Sequence, residues 1–374
     1  VEEAFGPFGT VRKKPGREIG PPDVAAADVL LVRSVTTVGP GLVGETDLRF
    51  VGSATIGTDH VDRAYLRSRD IPFAHAPGSN ADSVADYLVT ALLTLARRRG
   101  RALRDKTVGI VGCGNIGERL ARRLTALDMR VLLNDPPLAR AAEAEGHPHD
   151  YVPLHTVLDE ADAVTLHVPL TTDGPDPTHH LVDASFLNRL NDGTWLVNTS
   201  RGPVVDGDAL LAARREGPVG AAVLDVWENE PSPDPALLEA VDVATPHIAG
   251  YAFDGKVRGT AMLYEAFCEQ LGVQATWRGT GTIKPASKDE LQCTPPDPRV
   301  PATEWLFHLA QQAYDLRTDD AALRAILGLP LEERANAFAG LRKEYRRRRE
   351  MQQHRVPQGA VPPTYRSAVA EGLM

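Results

Sequence analysis

Apolar residues in this chain occur in two alternating patterns, short continuous runs and stretches in which they recur at helical spacing. From residue 107 the alternation is regular, and we expect strands at six apolar runs: 107–112, 130–134, 163–168, 194–198, 220–226 and 241–245. The segment 115–127, between the first two runs, places its large aliphatic side chains on one helical stripe. Because strands that are apolar throughout are buried on both faces, this pattern predicts an α/β fold with a doubly wound parallel sheet, which binds ligands at the carboxyl ends of its strands.

The first 80 or so residues carry a less regular version of the same pattern. Three short strand candidates lie at 29–33, 49–55 and 72–76, with helix-like segments between them. This part of the chain therefore predicts a second, smaller α/β unit.

After about residue 275 the pattern changes again. A Pro-rich stretch at 294–301 predicts a linker, helical patterns follow at 302–327 and 332–353, and a second Pro-rich stretch occupies 356–363. The basic run at 342–350 is interrupted by two glutamates, so we interpret it as a solvated helix face. A nucleic acid contact, or a dimer contact that supplies cations to a substrate, remains as an alternative.

Composition narrows the function classes. At 374 residues the chain is long enough for two or three domains. Its net charge of −9 and pI of about 5.7 argue against wholesale binding to nucleic acid or to an anionic membrane. Three widely spaced cysteines without a metal-ligand pattern suit a reducing cytoplasm and predict no metal site. The apolar stretch 84–96 is too short to span a bilayer, and no signal peptide is visible.

A Gly-x-Gly-x-x-Gly pattern lies in 108–117, directly after an apolar strand and at the start of an amphipathic helix. Such glycines permit a tight turn and let backbone amides approach a pyrophosphate at the helix N-terminus. Asp135 ends the next strand, where a carboxylate accepts hydrogen bonds from an adenosine ribose and repels a 2′-phosphate; a simple strand-end turn is the alternative. We therefore predict that NAD, rather than NADP, binds to Asp135 and to Gly112, Gly114, Asn115, Ile116 and Gly117.

Three further strings, near the ends of successive predicted strands, supply residues suited to a 2-hydroxy acid. Arg201 offers a charged planar fork for a carboxylate or a carbonyl, and His247 can take and return a proton near neutral pH. Glu230 could orient the imidazole, but Glu228 and Asp225 compete for that role and the spacing does not choose among them. Together with the glycine-rich turn, these residues predict hydride transfer.

The order of the strings GCGNIG, TSRG, LDVWENEP and PHIAG resembles the D-2-hydroxyacid dehydrogenases, and the resemblance runs from about residue 5 to residue 350. Further strings, at 32–36, 57–62 and 313–324, favour a branch of that family that acts on a small phosphorylated 2-hydroxy acid. The resemblance implies that Arg201 and Glu230 are active-site residues and that His247 is the proton donor or acceptor.

The resemblance also implies the remaining contacts. Residues expected to contact NAD are Asp135, Val168, Thr199, Ser200, Arg201, Asp225 and Gly250. Residues expected to contact the substrate are Ser34, Thr55 and Tyr251.

We expect three domains from this resemblance. Residues 1–84 and 252–275 form a discontinuous substrate-binding domain, and residues 85–251 form a Rossmann-type NAD-binding domain. Residues 276–374 resemble the family's α+β dimerisation domain, which implies a homodimer. The family normally opens with a short strand before the first helix, whereas this chain begins at that helix, so we expect either a truncated N-terminus or the loss of that strand.

A phosphorylated substrate needs cations in addition to Arg201. The candidates are Arg33, Lys256 and Arg258, and a weaker one is a basic residue of 342–349 that reaches across a dimer interface. Each of these cations could instead be a solvated surface charge.

Two other functions stay open at this point. One is a different member of the same family, acting on glyoxylate, hydroxypyruvate or 3-phosphoglycerate. The other is an NAD-sensing corepressor with the same fold, which would bind partners and lack enzyme-like turnover.

Overall fold

The computed structural model describes residues 1–104, 106–279, 291–297 and 300–373. Its strands form two fully parallel sheets, one of three strands in the order β1-β2-β3 and one of six in the order β5-β4-β6-β7-β8-β9. The strands are β1 (Val29–Val32), β2 (Phe50–Ser53), β3 (Phe73–His75), β4 (Thr107–Val111), β5 (Arg130–Asn134), β6 (Ala163–Leu166), β7 (Thr194–Asn198), β8 (Val219–Leu224) and β9 (Val243–Ala244). The nine predicted strands and the doubly wound parallel sheet are confirmed.

Helices connect these strands and continue after the last of them. In chain order they are α1 (Glu2–Phe5), α2 (Pro21–Val24), α3 (Pro40–Val43), α4 (Arg63–Ser68), α5 (Ala81–Arg98), α6 (Asn115–Thr125), α7 (Pro136–Glu145), α8 (Leu154–Glu160), α9 (Ala184–Asn188), α10 (Gly207–Glu216), α11 (Pro235–Ala240), α12 (Phe253–Leu271), α13 (Ala302–Ala313), α14 (Leu316–Ala325), α15 (Leu331–Lys343) and α16 (Arg366–Ala370). Among the described residues, no helix has both the length and the apolar character needed to cross a bilayer.

The chain divides into two compact units, residues 1–80 with 252–286, and residues 81–251 with 287–374. The first division lies four residues before the predicted boundary at 84, and the C-terminal region belongs to the second unit. The three-domain scheme and the role of 276–374 in dimerisation stay predictions.

The first unit is built on the three-stranded sheet. Apolar side chains of β1 and β2 pack with α2, α3 and α4 in one core cluster. A second cluster joins α1 to α12 through aromatic rings, where Phe5 meets Tyr264 edge-on at 5.8 Å between ring centroids. The carboxyl ends of the adjacent parallel strands β1 and β2 lie side by side, since Val32 pairs with Ser53.

The six-stranded sheet of the second unit is buried on both faces. Along β7, Trp195 and Val197 point into one core cluster, while Leu196 points into the other. Side chains of successive strand residues point to opposite faces, so a strand covered on both sides is apolar at most positions. This requirement explains why continuous apolar runs identified these strands.

The C-terminal region shares the core of this sheet. Side chains of α13, including Trp305 and Leu309, and Tyr365 from the end of the chain lie in the same cluster as the buried face of α5. The second Pro-rich stretch, at 356–363, contributes the buried Val361 to this core.

The helix boundaries of the C-terminal region differ from the prediction in two places. The helix predicted over 302–327 is two helices, because Asp315 caps a new helix by accepting a hydrogen bond from the Arg317 N–H at 3.1 Å. The helix predicted over 332–353 ends at Lys343. Within 291–297 and 300–373 we find no β-strand, although an α+β region was predicted; one isolated parallel bridge joins Gln292 to Arg355. Residues 298–299 of the predicted linker lie outside the described residues.

The solvated-face interpretation of the basic run is wrong for its second half. Arg348 is 4% exposed, Arg349 5% and Glu350 0%. Burial is possible because the charges find partners: Glu350 accepts a hydrogen bond from the Ser83 hydroxyl at 2.8 Å, and Arg348 donates to backbone carbonyls. Sequence pattern alone does not reveal such partners.

Candidate active site

His247 and Glu230 form a hydrogen-bonded pair. His247 Nδ1 lies 2.8 Å from Glu230 Oε2, and Glu230 Oε1 accepts the backbone N–H of Trp227 at 3.0 Å. Burial by itself would raise the pKa of Glu230, but the His247 charge, these two hydrogen bonds and the nearby Arg342 together lower it. The pair therefore holds a carboxylate against Nδ1. Nε2 is left as the ring nitrogen that can exchange a proton with a substrate, on a side chain that is 34% exposed.

The structure also separates Glu230 from its two competitors. Glu228 accepts a hydrogen bond from His180 Nε2 at 2.7 Å and another from the Gly207 N–H at 3.0 Å. The Asp225 carboxylate is buried and accepts its hydrogen bonds from Thr245, Ile248 and Ala249, and none of these donors is the His247 imidazole. The geometry thus selects Glu230 as the carboxylate that contacts the imidazole.

Asp225 organises the loop that carries the histidine. Its carboxylate accepts hydrogen bonds from the Thr245 hydroxyl at 2.6 Å and from the N–H groups of Ile248 and Ala249 at 2.8 and 2.9 Å. Burial raises the pKa of Asp225, although these donors and the His247 charge oppose that effect. His247 has a left-handed φ of +58°, a conformation that a residue with a Cβ adopts only when its surroundings require it. Asp225 provides that constraint, and its predicted contact with NAD stays a prediction.

Arg201 lies in a tight turn after β7. Asn198 fixes this turn by accepting from the Ser200 N–H at 3.0 Å and from the Ser200 hydroxyl at 2.8 Å, and by donating to the Arg201 carbonyl at 2.9 Å. A Cβ on Gly202 would lie 2.0 Å from the carbonyl atoms of Trp227, so only glycine allows these backbones to approach so closely. Gly202 thereby brings the Arg201 turn alongside the segment that leads to Glu230.

The glycine-rich turn fits a dinucleotide. Gly112 has φ +93°, and a Cβ there would lie 2.7 Å from the carbonyl of His167. A Cβ on Gly117 would lie 2.3 Å from the Gly112 oxygen, which fixes the close packing of α6 on β4. By contrast, no described atom lies within 4 Å of a Cβ on Gly114, and no side chain in the described part of the chain caps the α6 amides at Asn115 and Ile116. Open space beside uncapped helix amides is what a pyrophosphate requires.

The carboxylate of Asp135, which we predict to contact the adenosine ribose, forms two hydrogen bonds within the protein. Its carboxylate accepts the N–H of Cys113 at 2.8 Å, and it caps α7 through the N–H of Leu138 at 3.0 Å. The strand-end turn is therefore present. Each carboxylate oxygen can accept more than one hydrogen bond, so contact with a ribose remains compatible with this geometry and stays a prediction.

Thr199 and His167 lie at the same edge of the sheet, after β7 and β6. Thr199 Oγ1 and His167 Nδ1 are buried and have no hydrogen-bond partner among the described residues. His167 Nε2 contacts Thr165 Oγ1 at 2.9 Å, and burial lowers the pKa of His167 to about 3, so the ring is neutral. Our sequence reasoning included its neighbour Val168 but missed His167, although its position after an apolar strand was a usable signal.

Two of the predicted substrate residues, Ser34 and Thr55, lie at one sheet edge in the first unit. Ser34 and Thr55 each follow the carboxyl end of a strand, β1 and β2. The Thr55 hydroxyl contacts the Ser53 hydroxyl at 2.6 Å and donates to the Gly57 carbonyl at 2.8 Å. Arg33 and Ser34 are exposed.

The two cations predicted on α12 lie on different sides of this helix. Lys256 and Arg258 are two residues apart on a helix and therefore point to different sides. Lys256 lines a surface cavity of about 280 Å³ together with Glu2 and Trp277, whereas Arg258 does not. The role of each of them in phosphate binding stays a prediction.

The C-terminal region reaches the candidate active site. Tyr251, which follows Gly250 in the histidine loop, meets Tyr345 edge-on at 5.8 Å, and the Arg342 guanidinium lies 5.6 Å from the Tyr251 ring centroid. Arg342 Nη1 is 3.9 Å from Glu230 Oε2. Among the described residues, no group of three His, Cys, Asp or Glu side chains could hold a metal ion.

Comparison with protein families gives two matches. The D-isomer specific 2-hydroxyacid dehydrogenase, NAD binding domain, matches residues 86–249. A domain of unknown function (DUF3410) matches residues 298–365.

Similar proteins extend over nearly the whole chain. The erythronate-4-phosphate dehydrogenase of Salinibacter ruber is 72% identical over 373 residues, covering 100% of this chain and 95% of the relative. That of Salmonella arizonae is 47% identical over 350 residues, covering 94% and 89%. Among solved structures, the D-lactate dehydrogenase from Aquifex aeolicus complexed with NAD and lactic acid has a TM-score of 0.56 at 26% identity, covering 72% of this chain and 91% of that one. The TT0316 protein from Thermus thermophilus has a TM-score of 0.59 at 27% identity, covering 73% and 95%.

Proposed function

The chain belongs to the erythronate-4-phosphate dehydrogenase family, within the D-isomer specific 2-hydroxyacid dehydrogenases, and we propose on that basis that it oxidises 4-phospho-D-erythronate with NAD. The product is (R)-3-hydroxy-2-oxo-4-phosphooxybutanoate, and the reaction is a step of vitamin B6 biosynthesis. The observation that carries the proposal is the 2.8 Å contact between His247 Nδ1 and Glu230, because it leaves Nε2 to serve as the base.

Each side chain of the site has a distinct task in this reaction. His247 Nε2 takes the proton of the C2 hydroxyl, and Glu230 stabilises the imidazolium that forms. Arg201 binds the substrate carboxylate and the carbonyl oxygen that develops at C2. When bound, NAD supplies the acceptor for the hydride that leaves C2.

The second unit has the features needed to hold NAD. The open position at Gly114 and the uncapped amides of α6 support binding of the pyrophosphate. Asp135 supports the preference for an adenosine ribose without a 2′-phosphate. The unpartnered Thr199 hydroxyl supports a polar ligand at the same edge of the sheet.

Three finer features are part of the proposal. One or more of the cations Arg33, Lys256 and Arg258 bind the substrate phosphate. The protein acts as a homodimer, with the C-terminal region in its interface. It works in the cytoplasm, which the low content of three cysteines in 374 residues supports.

A substrate screen tests this function. The purified protein is mixed with NAD and with 4-phosphoerythronate, erythronate, glycerate or 3-phosphoglycerate, and NADH is followed by absorbance. We expect enzyme-like turnover with 4-phosphoerythronate, at a kcat/KM well above that of the other acids. A higher kcat/KM for another acid would assign the chain a different dehydrogenase activity, and NAD binding without turnover of any acid would favour the corepressor.

A further inference from the structure

Arg342, at the C-terminal end of α15, lies directly behind the His247–Glu230 pair. Its Nη1 is 3.9 Å from Glu230 Oε2, the oxygen that also contacts His247 Nδ1. Its guanidinium also lies over the ring of Tyr251, with 5.6 Å between the guanidinium carbon and the ring centroid. A planar cation held between a carboxylate and an aromatic face has a defined position without direct hydrogen bonds.

The chain that follows Arg342 is fastened to the same loop. Arg348 donates to the carbonyls of Ile248 and Ala249, the two residues after His247. Two residues after Arg349, the Met351 N–H donates to the buried Asp86 of α5 at 2.8 Å. These contacts fix both ends of the segment 342–351 on the catalytic part of the second unit.

We propose that Arg342 is a positioning residue for catalysis, which acts through the Glu230 carboxylate on the hydrogen-bonded pair of Glu230 and His247. The inference rests on the proposed function, because it assigns a role to Arg342 in that same reaction. Arg342 itself exchanges no proton in this scheme.

The direction of the effect follows from charge. Glu230 favours the imidazolium form of His247, and a cation beside Glu230 opposes it. In the direction of oxidation the base must start without a proton, so we expect removal of Arg342 to displace the acidic limb of the activity profile to higher pH. The other charged groups recorded around the pair are Asp225, which interacts with the His247 charge, and Arg348 on the adjacent backbone. The phenols of Tyr251 and Tyr345 lie beside Arg342 and Arg348.

Arg342 can be replaced with little risk to the fold. Among the described residues it makes no hydrogen bond, and its Nε is buried without a partner. The next residue, Lys343, is an exposed cation on the same helix end and provides a matched control.

The test compares pH profiles of kcat/KM for 4-phosphoerythronate oxidation in the parent, Arg342→Met, Arg342→Lys and Lys343→Met. We expect the acidic limb of Arg342→Met to move to higher pH by about half a unit or more, with KM changed less than kcat. Arg342→Lys should keep the acidic limb close to that of the parent because it keeps the charge, and Lys343→Met should match the parent. An unchanged limb in Arg342→Met would overturn the proposal. So would a rise in KM alone, which would make Arg342 a substrate ligand instead.

A second measurement does not depend on activity. NMR titration of side-chain-labelled glutamate in the parent and in Arg342→Met should show a higher pKa of Glu230 in the variant. If the parent fails to oxidise 4-phosphoerythronate but this shift is present, the proposed function fails while the coupling of Arg342 to Glu230 stands. If the parent is active and the shift is absent, only the role of Arg342 is refuted.

Discussion

At the scale of single residues, three carboxylates in one short segment acquire three different tasks. Glu230 contacts the imidazole, Glu228 contacts His180, and Asp225 holds the loop after β9. The sequence could narrow the choice to these three, because all follow the same apolar strand. It could not choose among them, since the choice depends on backbone directions that only the folded loop fixes.

Replacement of His247 tests the base. His247→Gln should lower kcat by roughly 10²–10⁴-fold, since it removes general base assistance, while Kd for NAD stays close to that of the parent. Steady-state kinetics and NAD titration by fluorescence measure the two effects. Near-normal kcat in this variant would mean that another group takes the proton.

Replacement of Glu230 tests the orienting carboxylate, with Glu228→Gln as the matched control. Glu230→Gln should lower kcat/KM by roughly ten- to hundred-fold, because a hydrogen bond to a charged group contributes about 1.5–3 kcal/mol. It should also move the acidic limb of the pH profile to lower pH, since the imidazolium loses its counter-charge. This shift is opposite to the one expected for Arg342→Met. Equal losses in the Glu230 and Glu228 variants would contradict the assignment.

Replacement of Asp135 must separate cofactor selectivity from helix capping. Asp135→Ser removes the charge but keeps a side chain that can cap α7, so it should narrow the preference for NAD over NADP at nearly unchanged stability. Asp135→Ala should narrow the preference as well and cost about 1 kcal/mol of stability from the lost cap. Equal kcat/KM for NAD and NADP in the parent protein would refute the role of Asp135 in selectivity.

At the scale of elements, strands were easier to predict than the C-terminal helices. A strand buried on both faces is apolar at most positions, so the six apolar runs after residue 107 were sufficient to locate the strands of this sheet. The prediction extended the helix of 332–353 past Lys343 because the charged residues that follow are compatible with a solvent-exposed helix. In the structure α15 ends at Lys343. Arg348 and Glu350 are buried because they form hydrogen bonds with Ile248 and Ser83, which are distant in the sequence. The local sequence pattern around 348–350 does not indicate these contacts.

Two glycines at strand ends predict opposite outcomes when alanine replaces them. At Gly114 a Cβ meets nothing within 4 Å, so Gly114→Ala should fold normally but weaken NAD binding by occupying the space beside the helix amides. At Gly202 a Cβ would lie 2.0 Å from the Trp227 carbonyl, so Gly202→Ala should lower both stability and kcat. Thermal unfolding and NAD titration distinguish the two. Unchanged NAD affinity in Gly114→Ala would place the pyrophosphate elsewhere.

At the scale of the whole molecule, the C-terminal region packs as part of the second unit, which carries His247 and Glu230. Its residues share a core with α5 and β4, and the segment 342–351 contacts the loop that carries His247. The family resemblance predicted the existence of this region and a role in dimerisation. Its contact with the active-site loop depends on tertiary packing, which the sequence pattern did not indicate.

The buried carboxyl group of Asp86, where α5 contacts the segment 342–351, makes the stability of the protein depend on pH. Asp86 contacts Arg123 Nη1 at 2.5 Å and accepts the Met351 N–H, and burial raises its pKa to about 6 despite these partners. Because the folded state binds this proton more tightly than the unfolded state, stability is lost as pH rises from the ordinary carboxyl value through about 6.

Urea unfolding of the parent and of Asp86→Asn measures this effect. The free energy of unfolding of the parent, relative to the variant, should fall by about 2 kcal/mol between pH 4 and pH 6, since only the parent carries the titrating group. A relative free energy that rises with pH would show that the ion pair with Arg123 outweighs the cost of burial.

The most direct test of the central claim is the ratio of kcat/KM for 4-phospho-D-erythronate to that for D-erythronate, measured with NAD at one pH and ionic strength. The two acids share the carboxylate and the C2 hydroxyl that Arg201 and His247 would engage, and they differ only in the phosphate. Loss of one or two charge-assisted contacts predicts a ratio of roughly 10² or more. A ratio near one would contradict a phosphate site and leave a D-2-hydroxyacid dehydrogenase with a different substrate.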